Sequence, residues 1–173
     1  MYRWAIHALM AATLMALFFG CGYHFSGSGS LPAGVTRVFI TILANRSAET
    51  GVESIFTNDL IYEFTRNRKE SIAQERSSAD GILTGTIVSL SVDNISRSTV
   101  STAVERRVTG VLNLRLESPD GRIIWSSGNL VERQAYTVVD GNKTATDQNK
   151  SDAIAVLSSR LAEAAFNRMT DDF

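Results

Sequence analysis

The chain has 173 residues, 44% of them hydrophobic and 20% charged, which suits one compact domain and leaves too little chain for two cores of ordinary size. The chain has 17 Lys and Arg and 18 Asp and Glu, so its net charge is −1. This value excludes the global positive field typical of nucleic-acid-binding proteins. The single cysteine excludes an internal disulfide and a cysteine-based metal site. Any anion site must therefore be a local patch, and the lone cysteine needs its own explanation.

The start of the chain has the pattern of a secretory signal peptide. Arg3 provides a positive charge, and residues 5–19 form an apolar run that ends just before Cys21. This run is short for a membrane span. Residues 22–30 are rich in Gly and Ser, as in a flexible tether. We therefore expect residues 1–20 to be a signal peptide that is removed.

The residues before Cys21 resemble the lipobox of bacterial lipoproteins, except that Phe18 stands where the lipobox usually has Leu. The resemblance implies that Cys21 is acylated, becomes the new N-terminus and holds the protein on a membrane, since each buried CH₂ contributes about 0.8 kcal/mol. Gly22, where Asp would be the usual retention signal, implies sorting to the outer membrane. The alternative is a plain cleaved signal peptide or a membrane anchor in which Cys21 is incidental. In the lipoprotein interpretation, residues 21–34 are the lipidated N-terminus and tether, and residues 35–173 are a single domain.

The first half of this domain predicts a strand, a helix and a second strand. Residues 35–43 are β-branched and aromatic, as in a strand. Residues 51–69 carry apolar side chains at helical spacing, and Thr50 with Glu53 could form a capping box. Residues 82–92 predict the second strand, with Val88, Leu90 and Val92 expected on the same face as Ile82.

The second half predicts a hairpin followed by a helix. Residues 104–117 alternate strictly, with Val108, Leu112 and Leu114 among the residues of the apolar face. The sequence from Ser118 to Gly121 favours a tight turn into a fourth strand over residues 122–138. A polar loop over residues 140–150 and a helix over residues 151–169 complete the chain. We predict an α+β fold of order β-α-β-β-β-α, in which a four-stranded, mostly antiparallel sheet has two helices packed on one face.

The domain lacks the residues of common catalytic and cofactor sites. His7 lies in the expected signal peptide and His24 in the tether, so a rigid triad or metal site is excluded. No phosphate-binding glycine motif is present. Carboxylate pairs such as Asp59 and Glu63 have the spacing of solvated helix charges. The protein is therefore expected to be neither an enzyme nor a carrier of a metal or cofactor.

Basic residues cluster near one predicted end of the sheet. In an antiparallel meander the 93–103 loop and the 139–150 loop emerge at the same end, so Arg97 and Lys143 should converge. The candidate cations are Arg97, Arg106, Arg107, Lys143 and Lys150. They could bind phosphate groups through charge-assisted hydrogen bonds, or they could simply be solvated.

The mature chain resembles the LPS-assembly lipoprotein family LptE. The resemblance lies in the start Cys21-Gly-Tyr-His-Phe25, in Leu31-Pro32 before the first strand, and in the β-α-β-β-β-α order. It implies an outer-membrane lipoprotein whose domain plugs and helps assemble the LPS-translocon β-barrel, an LptD-like partner, and contacts lipopolysaccharide during delivery. It also implies that Arg97 is a contact residue. A second basic residue is expected near Thr146, where Lys143 or Lys150 would be the substitute.

Two other functions remain open at this point. One is a lipoprotein that binds and regulates another periplasmic protein, such as a cell-wall synthase activator, although a tether of about ten residues reaches only about 35 Å. The other is a lipid-carrying or hydrolytic lipoprotein, which needs a deep apolar cavity or a nucleophile with a base.

Overall fold

The computed structural model describes residues 31–67, 72–97 and 104–171, so the expected signal peptide, Cys21 and the tether lie outside it. Among the described residues, the element order is β-β-α-β-β-β-α. The strands are β1 (Val38–Ile40), β2 (Ala44–Asn45), β3 (Gly81–Arg97), β4 (Val104–Glu117) and β5 (Ile123–Val138), and the helices are α1 (Val52–Asn67) and α2 (Lys143–Asp171). The predicted α+β class is confirmed.

The sheet of the described residues is mixed and has five strands. Strands β3, β4 and β5 form the predicted antiparallel meander, while β1 and β2 both pair with β3 in parallel. The prediction of one continuous first strand over residues 35–43 is therefore wrong, and with it the count of four strands. Pairing with β3 continues to Thr41, whose amide donates to the Leu83 carbonyl at 3.0 Å, and is then interrupted where the Leu43 amide donates to the Thr57 hydroxyl on α1 at 3.1 Å.

Both helices contribute to one hydrophobic core against one face of the sheet. The alternation predicted for β4 is confirmed, since Leu112, Leu114 and Leu116 are at most 1% exposed. On the helices, Phe64 and Phe166 meet edge to face with their ring centroids 5.1 Å apart. The opposite face of the sheet, which we call the outer face, is polar and mostly accessible.

Strand β3 changes faces at a bulge. Its pairing with β4 shifts by one residue at Val88, so Leu83 and Ile87 face the core before the bulge and Leu90 faces it afterwards. Val88 itself is 38% exposed. The prediction that Val88, Leu90 and Val92 share a face with Ile82 is therefore wrong. One extra residue in a strand reverses which side chains face the core beyond it.

The turn between β4 and β5 is the predicted one. The Ser118 amide donates to the Arg122 carbonyl at 2.8 Å, the Gly121 amide donates to the Ser118 carbonyl at 2.8 Å, and Gly121 has a positive φ of 87°. Hydrogen bonds from Ser118 and Arg122 lower the pKa of Asp120 to about 2. These contacts fix the register of the hairpin.

Helix α1 agrees with the predicted helix at its start, while the predicted end at residue 69 lies outside the described residues. The Glu53 carboxylate accepts a hydrogen bond from the Asn45 side chain at 3.1 Å. It thereby links the helix to β2.

A partly buried carboxyl lies where α1 meets α2. Asp59 Oδ2 is buried and has no hydrogen-bond partner among the described residues, and Ser158 on α2 is only 1% exposed. Burial raises the pKa of Asp59, and the nearby Ser158 hydroxyl, which has no hydrogen-bond partner among the described residues, offsets only part of that rise. The folded state thus holds the Asp59 proton more tightly than the unfolded chain does, and at neutral pH the ionised carboxylate disfavours folding.

We therefore expect Asp59→Asn to raise the urea midpoint at pH 7. The free energy of unfolding should rise by under about 1 kcal/mol, because water screens a partly buried charge. The gain should shrink as the pH falls towards the ordinary pKa of aspartate, where the wild-type carboxyl becomes protonated. Urea denaturation at pH 7 and pH 4 checks both points. A lower midpoint for the variant at pH 7 would show that the carboxylate stabilises the helix contact.

Candidate functional site

The strand register places the predicted basic segments at one end of the sheet. Arg97 of β3 pairs with Val104 of β4, and Val104 pairs with Val138 of β5, so the three residues form a row across the sheet. Lys143, the first residue of α2, follows Val138 after a short connection. At about 4.8 Å per strand, the backbones of Arg97 and Val138 lie about 10 Å apart. The backbone segments that carry Arg97 and Lys143 therefore lie at the same end of the sheet, and the convergence of the two side chains stays a prediction. We call this region the basic end.

Arg106 and Arg107, which lie beside this row, do not form one patch. They are neighbours on β4, so their side chains project from opposite faces. Arg106 lies on the helix side and opposite Tyr136, and its Nε donates to Asn94 Oδ1 at 3.1 Å. Arg107 lies on the outer face with Asp93 as its opposite neighbour on β3. Only Arg106 shares the side of the sheet on which α2 begins.

Lys143 and Lys150 lie on a helix, not in the predicted loop. Helix α2 begins at Lys143, eight residues before the predicted start at Ser151. The side chain of Lys143 is 87% exposed and pairs with Asp147 one turn later. Such an exposed ion pair contributes little to stability, and Lys143 can exchange Asp147 for another anion.

Lys150 has a structural contact that the sequence did not reveal. It lies two turns into α2 and forms an ion pair with Glu49, which precedes α1, and both side chains are about 30% exposed. This pair joins the start of α1 to α2. Of the two lysines, Lys143 is therefore the one available to a ligand at the basic end.

Thr146 closes the connection between β5 and α2. Its hydroxyl accepts a hydrogen bond from the Val139 amide at 3.0 Å, while the Asn142 side chain caps the helix by accepting from the Ala145 amide at 3.0 Å. Lys143 and Thr146 are three residues apart, so they share a face of the helix. Lys143 can thus place its charge over the helix face that Thr146 occupies.

Sequence reasoning missed two asparagines that position this end, Asn94 and Asn142. A sequence signal for Asn142 did exist, because asparagine is favoured at the N-cap position and the residues after it tolerate a helix. For Asn94 no local signal exists, because its bond to Arg106 depends on the register of two strands.

The described part of the chain contains no cluster of His, Cys, Asp and Glu that could hold a metal ion. Within the same residues, neither helix is long and apolar enough to cross a membrane. Cys21, His7 and His24 lie outside the described ranges.

Comparisons with solved structures identify proteins of the same fold, two of which are described as lipoproteins. A minor lipoprotein from Acinetobacter baumannii is 14% identical, with a TM-score of 0.51 over 80% of this chain and 93% of that one. Lipoprotein B from Nitrosomonas europaea is 15% identical, with a TM-score of 0.52 over 87% and 90% of the two chains. A protein from Xanthomonas campestris is 11% identical, with a TM-score of 0.53 over 82% and 90%. At these identities, the likeness shows the fold alone.

Comparison with curated protein sequences gives no match. The model of one protein family, described as LptE: Lipopolysaccharide-assembly, matches residues 35–169. This match spans the sheet, both helices and the basic end, and it agrees with the resemblance found in the sequence. The chain therefore belongs to the LptE lipopolysaccharide-assembly family.

Proposed function

We propose that the protein is an outer-membrane lipoprotein, anchored through an acylated Cys21, whose domain plugs and helps assemble the LPS-translocon β-barrel and contacts lipopolysaccharide during delivery. The observation that carries the proposal is the family match over residues 35–169. The partner is an LptD-like barrel, and the domain would lie on the periplasmic side of the membrane or within the barrel lumen.

The dimensions of the sheet are compatible with a plug. Strand β3 has 17 residues and β5 has 16. At about 3.3 Å per residue each could span more than 50 Å, whereas the apolar band of an outer-membrane barrel is about 25 Å tall. A domain in the lumen with its strands along the barrel axis would therefore extend beyond this band and present the basic end near one mouth.

The basic end supports contact with a phosphorylated lipid. The sheet register places the backbone of Arg97 at the same end of the sheet as the start of α2, and Lys143 lies at the positive end of the α2 dipole. Phosphate groups bind most strongly where several cations and amide dipoles converge. Arg106 adds a guanidinium group on the helix side of the same end.

The proposal is of a binding protein and not of an enzyme. Residues 31–173 contain neither His nor Cys, so common nucleophile and base pairs are missing from the domain. One open cleft, on the sheet face opposite the helices, is lined by Arg46, Arg115 and mostly polar neighbours, without a nucleophile activated by a base.

Affinity purification tests the partner. The full chain, tagged at its C-terminus, is purified from detergent-solubilised outer membranes and the co-purifying proteins are identified. We expect one large β-barrel protein at close to equal stoichiometry, and we expect it to be absent from untagged membranes. Recovery of a periplasmic cell-wall synthase without the barrel would favour the regulator function over the plug.

Mass spectrometry of the mature protein tests the anchor. We expect Cys21 as the first residue, carrying acyl chains, because residues 17–21 resemble a lipobox. A Cys21→Ser variant should retain its signal peptide and show no acyl mass, since the thiol is the acylation site. An unmodified N-terminus at another position in the wild-type protein would contradict the assignment.

A further inference from the structure

The outer face of the sheet carries an open cleft of about 380 Å³, away from the basic end. Two arginines line it, Arg46 from the segment after β2 and Arg115 from the middle strand β4. The other lining residues are the hydroxyl-bearing Thr84 and Thr86, the amide-bearing Asn113, and Gly85 and Val88. We call this site the outer cleft. Its volume lies at the small end of the range for small-ligand sites.

Local backbone features hold the two sides of the outer cleft in place. The Arg46 amide donates to the Ile87 carbonyl at 2.9 Å, and the adjoining turn is fixed because Asn45 Oδ1 accepts from the Ser47 amide at 2.8 Å. The bulge at Val88 bends β3 beside Arg46, and bulges increase the local twist of a sheet. The cleft is thus formed by ordered backbone on both sides.

The positive charges of the outer cleft exceed the negative charge beside it. Within the described residues, neither Arg46 nor Arg115 forms an ion pair. The adjacent Glu117 carboxylate accepts a hydrogen bond from the Thr84 hydroxyl at 3.3 Å and keeps its negative charge, so two arginines are opposed by one carboxylate, while Glu49 is paired with Lys150. On a chain with a net charge of −1, the cleft is therefore a local cationic site.

The remaining lining favours a polyol. The Thr86 hydroxyl has no hydrogen-bond partner among the described residues, and Asn113 donates its amide to Asn129 at 3.2 Å, which leaves its carbonyl oxygen as an acceptor. The lining has no aromatic side chain on which a nucleobase could stack. Val88 is its one large apolar residue, which is too little surface for an acyl chain.

We propose that the outer cleft binds an anionic saccharide, with Arg46 and Arg115 holding its phosphate or carboxylate groups and Thr86 and Asn113 bonding its hydroxyls. Arg115 lies 11 residues along β4 from Val104 at the basic end, or roughly 36 Å. The outer cleft is therefore a second site, which goes beyond the lipid contact proposed above. Its ligand could be a free sugar phosphate or the glycan part of a glycolipid.

Calorimetric titration of the full chain in detergent tests this site. The probes are a deacylated lipopolysaccharide oligosaccharide, glucose phosphate and inorganic phosphate, which separate a glycolipid source from a free sugar phosphate and both from a bare anion. We expect at least one saccharide to bind more tightly than inorganic phosphate. Arg46→Gln and Arg115→Gln should each weaken that binding by about tenfold, since each removes charge-assisted hydrogen bonds.

Arg133→Gln is the matched control, because Arg133 is an exposed arginine on β5 that does not line the outer cleft. It should leave saccharide binding unchanged, and thermal melts should show that all three variants fold. The proposal is overturned if no saccharide binds, if inorganic phosphate binds equally well, or if Arg133→Gln weakens binding as much as the cleft variants do. These outcomes do not depend on barrel co-purification, so failure of the outer cleft and failure of the plug function are distinguishable.

Discussion

We expect Leu114→Ala to lower the free energy of unfolding by roughly 2–5 kcal/mol, because it leaves a cavity in a close-packed core. Leu114 is fully buried in the second half of β4, and its side chain fills the space beside Gly85 on the neighbouring strand. A Cβ added at Gly85 would lie 2.3 Å from Leu114 Cδ2, which shows how closely the two strands pack here. Urea denaturation of the purified domain measures the effect.

Arg115→Ala is the control for this substitution. Arg115 follows Leu114 on the same strand but lies exposed on the outer face, so its loss should cost well under about 1 kcal/mol. The pair tests the assignment of the two faces of β4. Equal shifts of the two denaturation midpoints would mean that the strand does not bury one face as the structure describes.

The parts of the fold that the sequence predicted are those with strong local signals. Strict alternation along β4 and the Ser118–Gly121 turn define both strands of the hairpin, because a period of two and a turn type leave few alternatives. The apolar spacing of α1 likewise predicted a helix whose start agrees with the structure. In each of these elements, the side chains that decide the structure are neighbours in the sequence.

The differences arise where distant residues decide the structure. Residues 35–43 are continuously favourable for a strand, yet pairing with β3 is interrupted at residues 42–43, where the Leu43 amide bonds to Thr57 on α1. The first two turns of α2 are polar and have no apolar stripe, so they were predicted as a loop. They are helical because Asn142 caps the helix and because pairs such as Gln148 with Asp152, at 2.8 Å, support it.

The candidate site was predictable in its location but not in the roles of its residues. Meander topology alone places the segments containing Arg97 and Lys143 at one end, whatever their exact conformation. The ion pair of Lys150 with Glu49 joins residues 101 positions apart, and no pattern of residue spacing in the sequence predicts it. The outer cleft was also missed, since Arg46 and Arg115 meet only through the pairing of β2 and β4 with β3.

The double variant Arg97→Asp with Lys143→Asp is expected to weaken lipopolysaccharide binding by roughly tenfold or more, because it turns attraction into repulsion at the point where the two segments converge. Arg97→Ala alone should weaken binding by only roughly 0.2–1 kcal/mol, because it removes one cation and leaves Lys143 in place. Binding of lipopolysaccharide to the purified protein measures both effects.

A charge-matched control is Arg76→Asp with Arg160→Asp, which changes the net charge equally but alters two exposed arginines away from the basic end. This control should bind lipopolysaccharide like the wild type if position, and not total charge, decides the affinity. The basic-end variant should still co-purify with the barrel, since an extended surface holds a plug and two charges contribute little to it. Unchanged lipopolysaccharide binding would remove the basic end from the mechanism, whereas loss of the barrel would identify this end as a protein-docking site.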